Sequence, residues 1–240
     1  MNDKKGLLIG YYLYYMIQKS TLEFLDKLKA NNDRDWFLAN KAIYEKAHKN
    51  AADFADELLA QMNKHDNIET ESGKKSLFRI YKDTRFSADK TPYKTHFGMR
   101  FSRATAQLRG GYYFHLEPGH SFMAGGFFAP NPEDLKRIRE DIDFNHEEWN
   151  AILASPEIIK TFGKLSGDEV KTAPKGFDKN HAGIDLLRKK QFILKHDFTD
   201  QEVLDPNFVI QLNETFKALR PFFDYMSEVL TTDGNGESLF

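Results

Sequence analysis

The chain has 240 residues, is 40% hydrophobic and carries a formal net charge of −2. That length supports one large domain or two small ones, and the near-neutral charge excludes a protein that coats nucleic acid or anionic membrane over its whole surface. Cysteine is absent, which excludes disulfides, thiolate catalysis and cysteine-ligated zinc or iron–sulfur centres.

The first fifteen residues differ from the rest of the chain. Lys4 and Lys5 precede the apolar run from Leu7 to Tyr15, which is too short to cross a bilayer and has no small-residue cleavage site after it. Residues 1–15 therefore read as a non-native or disordered extension, with Met16 as the native start and a cytoplasmic location expected. Ser20-Thr21-Leu22-Glu23 has the pattern of a capping box opening a short helix. After the break at 31–35, Phe37, Tyr44, Ala47, Ala51, Phe54, Leu58 and Met62 recur at helical spacing, predicting a helix from Trp36 to about Met62 and hence an N-terminal helical hairpin.

From residue 76 the apolar period becomes two. Strands are predicted over 78–81, 95–102, 111–117 and 122–128, forming a mostly antiparallel sheet with one buried face. Asn131-Pro132-Glu133-Asp134 opens another helix, with Asn at its cap and acids in its first turn. Shorter helices come next at 146–153 and from Pro156, then a loop over 163–180, a helix near 184–187 and a strand near 191–195. A long C-terminal helix runs from Pro206 to Leu230, bent or split at Pro221. The whole predicts a single α+β domain over 16–230, with a flexible tail at 231–240.

Residues 71–110 concentrate the positive charge: ten Lys and Arg against three acids, a net +7 in a chain of −2. Within that module Arg79 and Tyr81 share a predicted strand face, with Asp83 at its end. A Pro92-stiffened loop comes after it, carrying Arg85, Lys90 and Lys94, with Lys82 at its mouth. Arg offers a planar fork of donors and Lys a movable point charge, which together can wrap a phosphate, sulfate or carboxylate. Tyr93 supplies a further hydrogen-bond donor. The competing reading is structural: Asp83 and Asp89 pair with Arg85 and Lys90, Phe86 plugs the core, and Tyr93 packs over the loop.

His96, Arg100, His115 and Glu117 form a second group on the face opposite Phe97, Met99, Phe114 and Leu116. His115 and Glu117 are two residues apart, hence on one side of one strand. They suit a general base and its orienter, or two metal ligands with His96 as a third; alternatively Arg100 simply pairs with Glu117 across strands. No established metal motif is present, so no metal is assigned and no cofactor is named. P-loop, dinucleotide-binding, nucleophile-elbow and His-Glu-x-x-His patterns are all missing.

The run Arg79-Ile-Tyr-Lys82-Asp83-Thr-Arg85-Phe86, continued by Lys90, Pro92 and Tyr93, resembles the signature of the family of domain of unknown function 2461. Lys82 stands where that signature has Arg, which keeps the charge and loses the bidentate fork. Asn32 to Phe37, Gly111 to Pro118 and the Gly125-Gly126 segment before Pro130 are similar to the same family. The resemblance spans roughly 17–230 and implies no activity.

The sequence thus points to a small anionic ligand, phosphate- or carboxylate-bearing, bound or turned over at 79–94. Arg79, Tyr81, Lys82, Asp83, Arg85, Lys90, Tyr93, Lys94, His96 and Arg100 are the candidate contacts, and His115 with Glu117 the candidate acid–base pair. A nucleic-acid accessory role for the same basic segment and a purely structural or protein-interaction role are the alternatives. No membrane partner is expected.

Overall fold

The computed structural model describes residues 15–233 and 237–239, so the expectation for residues 1–14 lies outside the described residues. In chain order the elements are α1 (Lys19–Ala30), α2 (Arg34–Ala39), α3 (Lys41–Met62), α4 (Gly73–Ser76), β1 (Phe97–Ser102), β2 (Gly111–Leu116), β3 (Ser121–Phe127), α5 (Pro132–Leu153), α6 (Pro156–Phe162), α7 (Ile184–Leu187), β4 (Phe192–Phe198), α8 (Asp200–Val203), α9 (Phe208–Lys217) and α10 (Arg220–Thr231). The strands pair in the order β1-β2-β3-β4 as an antiparallel sheet, and the α+β class predicted from the change of apolar period holds. No helix among the described residues is long and apolar enough to cross a membrane.

The chain divides into two compact units. The first holds residues up to 101 with 113–123 and 197–214, and the second holds 102–112, 124–196 and 215 onward.

In the first unit α1 packs on α3, the expected hairpin. Its start is not the capping box at Ser20. The helix begins at Lys19, and Asn50 of α3 serves its N-terminus instead: Gln18 N (2.9 Å) and Thr21 Oγ1 (2.7 Å) both donate to Asn50 Oδ1. With Thr21 buried against Asn50, its hydroxyl is not free to cap. The second expected helix breaks at Asn40 into α2 and α3, and Asp33 caps α2 by accepting from Trp36 N. The core of this unit is built on rings, with Phe208 stacked on Phe54 at 5.8 Å and tilted against Phe114 at 5.6 Å.

The strand expected over 78–81 does not form. Only single bridges hold this stretch, Leu77 to Met99 and Tyr81 to Tyr93, with Lys82 N donating to Pro92 O and Lys94 N to Ile80 O. Pro92 has no N–H to return, so the ladder cannot lengthen. The result is an irregular hairpin whose tip is residues 84–91.

In the second unit the helices predicted separately at 131 and 146 are one helix, α5, kinked at Asn145. Asn131 caps it as expected by accepting from Asp134 N at 2.9 Å. α5 packs against α10. Asp141 of α5 accepts from the Trp149 indole (2.6 Å) and the Tyr225 hydroxyl (2.8 Å), which ties the two helices together. The long C-terminal helix is two helices: α9, whose residues 208–214 belong to the first unit, and α10 in the second, with Pro221 in the first turn of α10, where its missing N–H costs nothing.

Candidate functional site

Strand β2 positions the site by simple alternation. Tyr112, Phe114 and Leu116 are buried, so Tyr113, His115 and, just past the strand, Glu117 share the other face. The Tyr113 hydroxyl lies 2.9 Å from His115 Nδ1, and His115 Nε2 lies 3.1 Å from Glu117 Oε2. Thr95 Oγ1 donates to Glu117 Oε1 at 2.9 Å, and Lys29 Nζ sits 4.0 Å from the same oxygen.

His96 lies in the bend leading into β1, and its ring packs against His115 with centroids 4.0 Å apart. Phe122 stacks on His115 at 4.6 Å with ring planes 13° apart. The His115 and Glu117 side chains are only 12% and 18% exposed. All of these residues belong to the first unit.

The electrostatics reflect this crowding. Burial, and then the neighbouring His115, hold His96 down to about 4, with Lys94 and Lys82 acting in the same direction and Glu117 opposing. Burial, with help from Glu117, pushes the Tyr113 phenol up to about 12, so it stays protonated at neutral pH. Burial alone would raise the Glu117 carboxyl. Hydrogen bonds from His115 and Thr95 and the charge of the histidines outweigh it, and the net shift is downward. The cluster therefore holds a carboxylate and a neutral His96 side by side. The metal-type donor atoms of His96, His115 and Glu117 also all lie within 4.8 Å of one another.

Arg100 does not join them. It is exposed, makes no ion pair with any described residue, and Glu117 takes Thr95, His115 and Lys29 instead.

The basic hairpin is largely self-satisfied at its tip. Arg85 forks onto Asp83 through Nε (2.9 Å) and Nη2 (2.7 Å), which holds the Asp83 carboxyl below its usual range. Lys82 pairs with Asp89 at 2.5 Å and donates to Thr91 Oγ1 at 2.8 Å, so Asp89 is taken by Lys82 and not by Lys90. Lys90 donates to the Thr84 carbonyl at 2.9 Å. Phe86 is 96% exposed and plugs no core, with the Arg85 guanidinium 5.9 Å from its ring centre.

Tyr93 is 3% exposed, stacks on Phe37 at 4.0 Å and exchanges backbone bonds with the Asn32 side chain, so it braces the hairpin from inside. Tyr81 is exposed and leans on Tyr93 and Phe37. Two cations stand apart from this pattern. Arg79 is exposed and makes no hydrogen bond or ion pair with any described residue. Lys94 rests over the Phe78 ring at 5.4 Å with no carboxylate beside it. Burial and then the Arg79 charge hold the Lys94 ammonium below its ordinary value.

The family model described as conserved hypothetical protein (DUF2461) matches residues 20–225. The chain belongs to that family. Neither the curated proteins nor the solved structures gave a match.

Within this DUF2461 protein the structure gathers His96, His115 and Glu117, and sets Lys94 close enough to Arg79 and His96 to act on both. It keeps Arg85, Lys90 and Phe86 at the hairpin tip. Tyr113, Thr95, Lys29 and Phe122 were not singled out in the sequence. Tyr113 alone carried a signal: it lies two residues before His115, on the same face of the strand.

Proposed function

We propose that this protein binds a small anionic ligand, phosphate- or carboxylate-bearing, at the base of the basic hairpin, with Arg79 and Lys94 as its main cationic contacts. One observation carries the reading. Two cations that repel each other stand together with no ion pair of their own among the described residues, Arg79 acting on Asp83 only at a distance, while Lys82 and Arg85, a few residues away, each hold a carboxylate directly. An uncompensated pair of this kind is unfavourable until an anion arrives, and a fork beside a point charge suits an oxyanion. Lys94 also acts on His96, which directs the bound group toward the histidine cluster. There His115 and Glu117, 3.1 Å apart, can pass a proton to or from the ligand, so turnover is part of the proposal.

Titration calorimetry with inorganic phosphate and with a dicarboxylate tests this. Binding of either that weakens at least tenfold in Lys94→Met and in Arg79→Gln supports the reading. Equal affinity in all three proteins, or no binding of any anion screened, overturns it.

The exposed Phe86 ring beside Arg85 favours a second reading, single-stranded nucleic acid stacking at the hairpin tip. That reading requires oligonucleotide affinity that falls linearly with salt on a log–log plot and is lost in Phe86→Ala.

A further inference from the structure

We infer that His96, His115 and Glu117 form a binding site for one divalent first-row transition-metal ion of the zinc class. Two imidazoles and one carboxylate are a complete protein ligand set for such an ion, with one or more positions left open. Their donor atoms already lie within 4.8 Å of one another. His115 Nε2 and Glu117 Oε2 are 3.1 Å apart, close to the roughly 3.3 Å edge of a tetrahedron with metal–ligand bonds of about 2.0–2.1 Å.

The outer contacts point the same way. A metal-bound histidine hands its other ring N–H to an acceptor, and a ligating carboxylate keeps a hydrogen bond on its second oxygen. Tyr113 Oη is in place to accept from His115 Nδ1, and Thr95 donates to Glu117 Oε1, the oxygen turned away from Nε2. Phe122 on the ring face fixes the plane of His115.

His96 supplies the remaining evidence. It is half-buried against His115, yet neither of its ring nitrogens has a hydrogen-bond partner among the described residues. A plain hydrogen-bonded His115–Glu117 pair gives this stacked second imidazole no task, whereas a metal ion does. Lys29, Lys82 and Lys94 lower the affinity for a cation, and an anion or hydroxide in the open position offsets them. The inference does not depend on anion binding, since a metal ion can bind with Arg79 and Lys94 empty or filled; an ion held by His115 Nε2 and Glu117 Oε2 does, however, take those atoms out of the proton-transfer role given to them above.

The test uses the whole chain, stripped with a chelator and titrated with Co²⁺ by visible absorption, then with Zn²⁺ in competition. One equivalent of Co²⁺ should bind with d–d bands of a nitrogen- and oxygen-ligated site, and Zn²⁺ should bleach them. His96→Gln and Glu117→Gln should each weaken binding by more than about 100-fold, and Tyr113→Phe by about 10–100-fold, the usual range for an outer-shell partner. His181→Ala, which removes one ring of the His146–His181 pair of the second unit, should change nothing. A wild-type measurement guards against variants that fail to fold: Zn²⁺ should protect His96 and His115 from diethyl pyrocarbonate, read by mass spectrometry. Absent Co²⁺ binding, binding untouched by His96→Gln and Glu117→Gln, or unprotected histidines overturns the inference. Phosphate titrations without metal keep its failure separate from that of the anion reading.

Discussion

The Tyr113 hydroxyl lies 2.9 Å from Nδ1 of His115, on the same face of the same strand. That contact fixes the imidazole in one orientation and, with the phenol protonated well into the alkaline range, does so without adding charge. Replacing Tyr113 with Phe leaves the ring in place and removes one hydrogen bond from a largely buried histidine. The chelator-treated variant should lose about 1 kcal/mol of stability, measured by urea unfolding. A loss below about 0.3 kcal/mol means the contact holds nothing.

Acid should destabilise the metal-free protein through His96. Its folded-state value of about 4 is below the ordinary 6.5, so the folded state favours the neutral ring and the unfolded state binds the proton first. The stability is fully present above pH 6.5 and is lost as pH falls from 6.5 toward 4. Facing the ring are His115, Glu117, Lys94 and Lys82, all of them included in that balance. Urea midpoints measured between pH 7.5 and 4.5 should fall more steeply for wild type than for His96→Gln. Parallel curves rule His96 out as the source.

Lys94 should be worth more to function than to stability. Burial and the Arg79 charge both act against its ammonium, so Lys94→Met removes repulsion and adds an apolar stem over Phe78. The ligand-free variant should melt at or above the wild-type temperature while losing anion affinity. A variant that melts several degrees lower marks Lys94 as a structural residue.

Two glycines separate fold from site. A Cβ on Gly73 would lie 2.1 Å from the Ala52 carbonyl oxygen and 2.5 Å from Asp56 N, both backbone, so α4 could not keep its seat on α3. Gly73→Ala should cost about 3 kcal/mol or more. A Cβ on Gly98 would meet the Tyr113 hydroxyl at 2.8 Å and the Phe78 ring at 2.9 Å, side chains that can yield. Gly98→Ala should cost about 1–2 kcal/mol and, by pushing Tyr113 off His115, weaken Co²⁺ binding as Tyr113→Phe does.

In the second unit Arg103 is wholly buried and reaches Asp224 (2.9 Å), Ser227 Oγ and the Arg109 carbonyl. Asp224 is itself half exposed, so Asp224→Ala, which leaves the buried guanidinium with Ser227 and the Arg109 carbonyl, should cost about 1–2 kcal/mol in thermal or urea unfolding. Lys136→Ala, which breaks an exposed pair with Glu140 on α5, should cost under about 0.5 kcal/mol. Similar losses in the two would show that burial does not set the worth of these pairs.

The readable parts of this protein were those set by period. Alternation over 111–117 gave both the buried Tyr112, Phe114 and Leu116 and the shared side of His115 and Glu117. Helical spacing gave α3. Pairings between distant residues were not readable: Asn50 serving Gln18 and Thr21, Thr95 reaching Glu117, and Lys82 taking Asp89 all depend on how the chain returns on itself. Over 78–81 the same alternation overreached: Ile80 is buried but Phe78, on the same face of the pattern, is exposed, and only single bridges hold the stretch. Pro92 was the clue, since a residue without an N–H cannot extend a ladder. His96 shows the reverse: placed on a strand face by spacing, it meets His115 from a bend instead.

Strand β2 uses one residue spacing for two purposes, its even positions filling the interior and its odd positions presenting Tyr113, His115 and Glu117. Inserting or deleting a single residue between 111 and 114 would therefore turn the imidazole and carboxylate inward and the phenylalanine outward together. Length in this stretch is constrained more tightly than identity. Side chains on it can be exchanged one at a time, but the count between them cannot change without losing the cluster and the core in the same step.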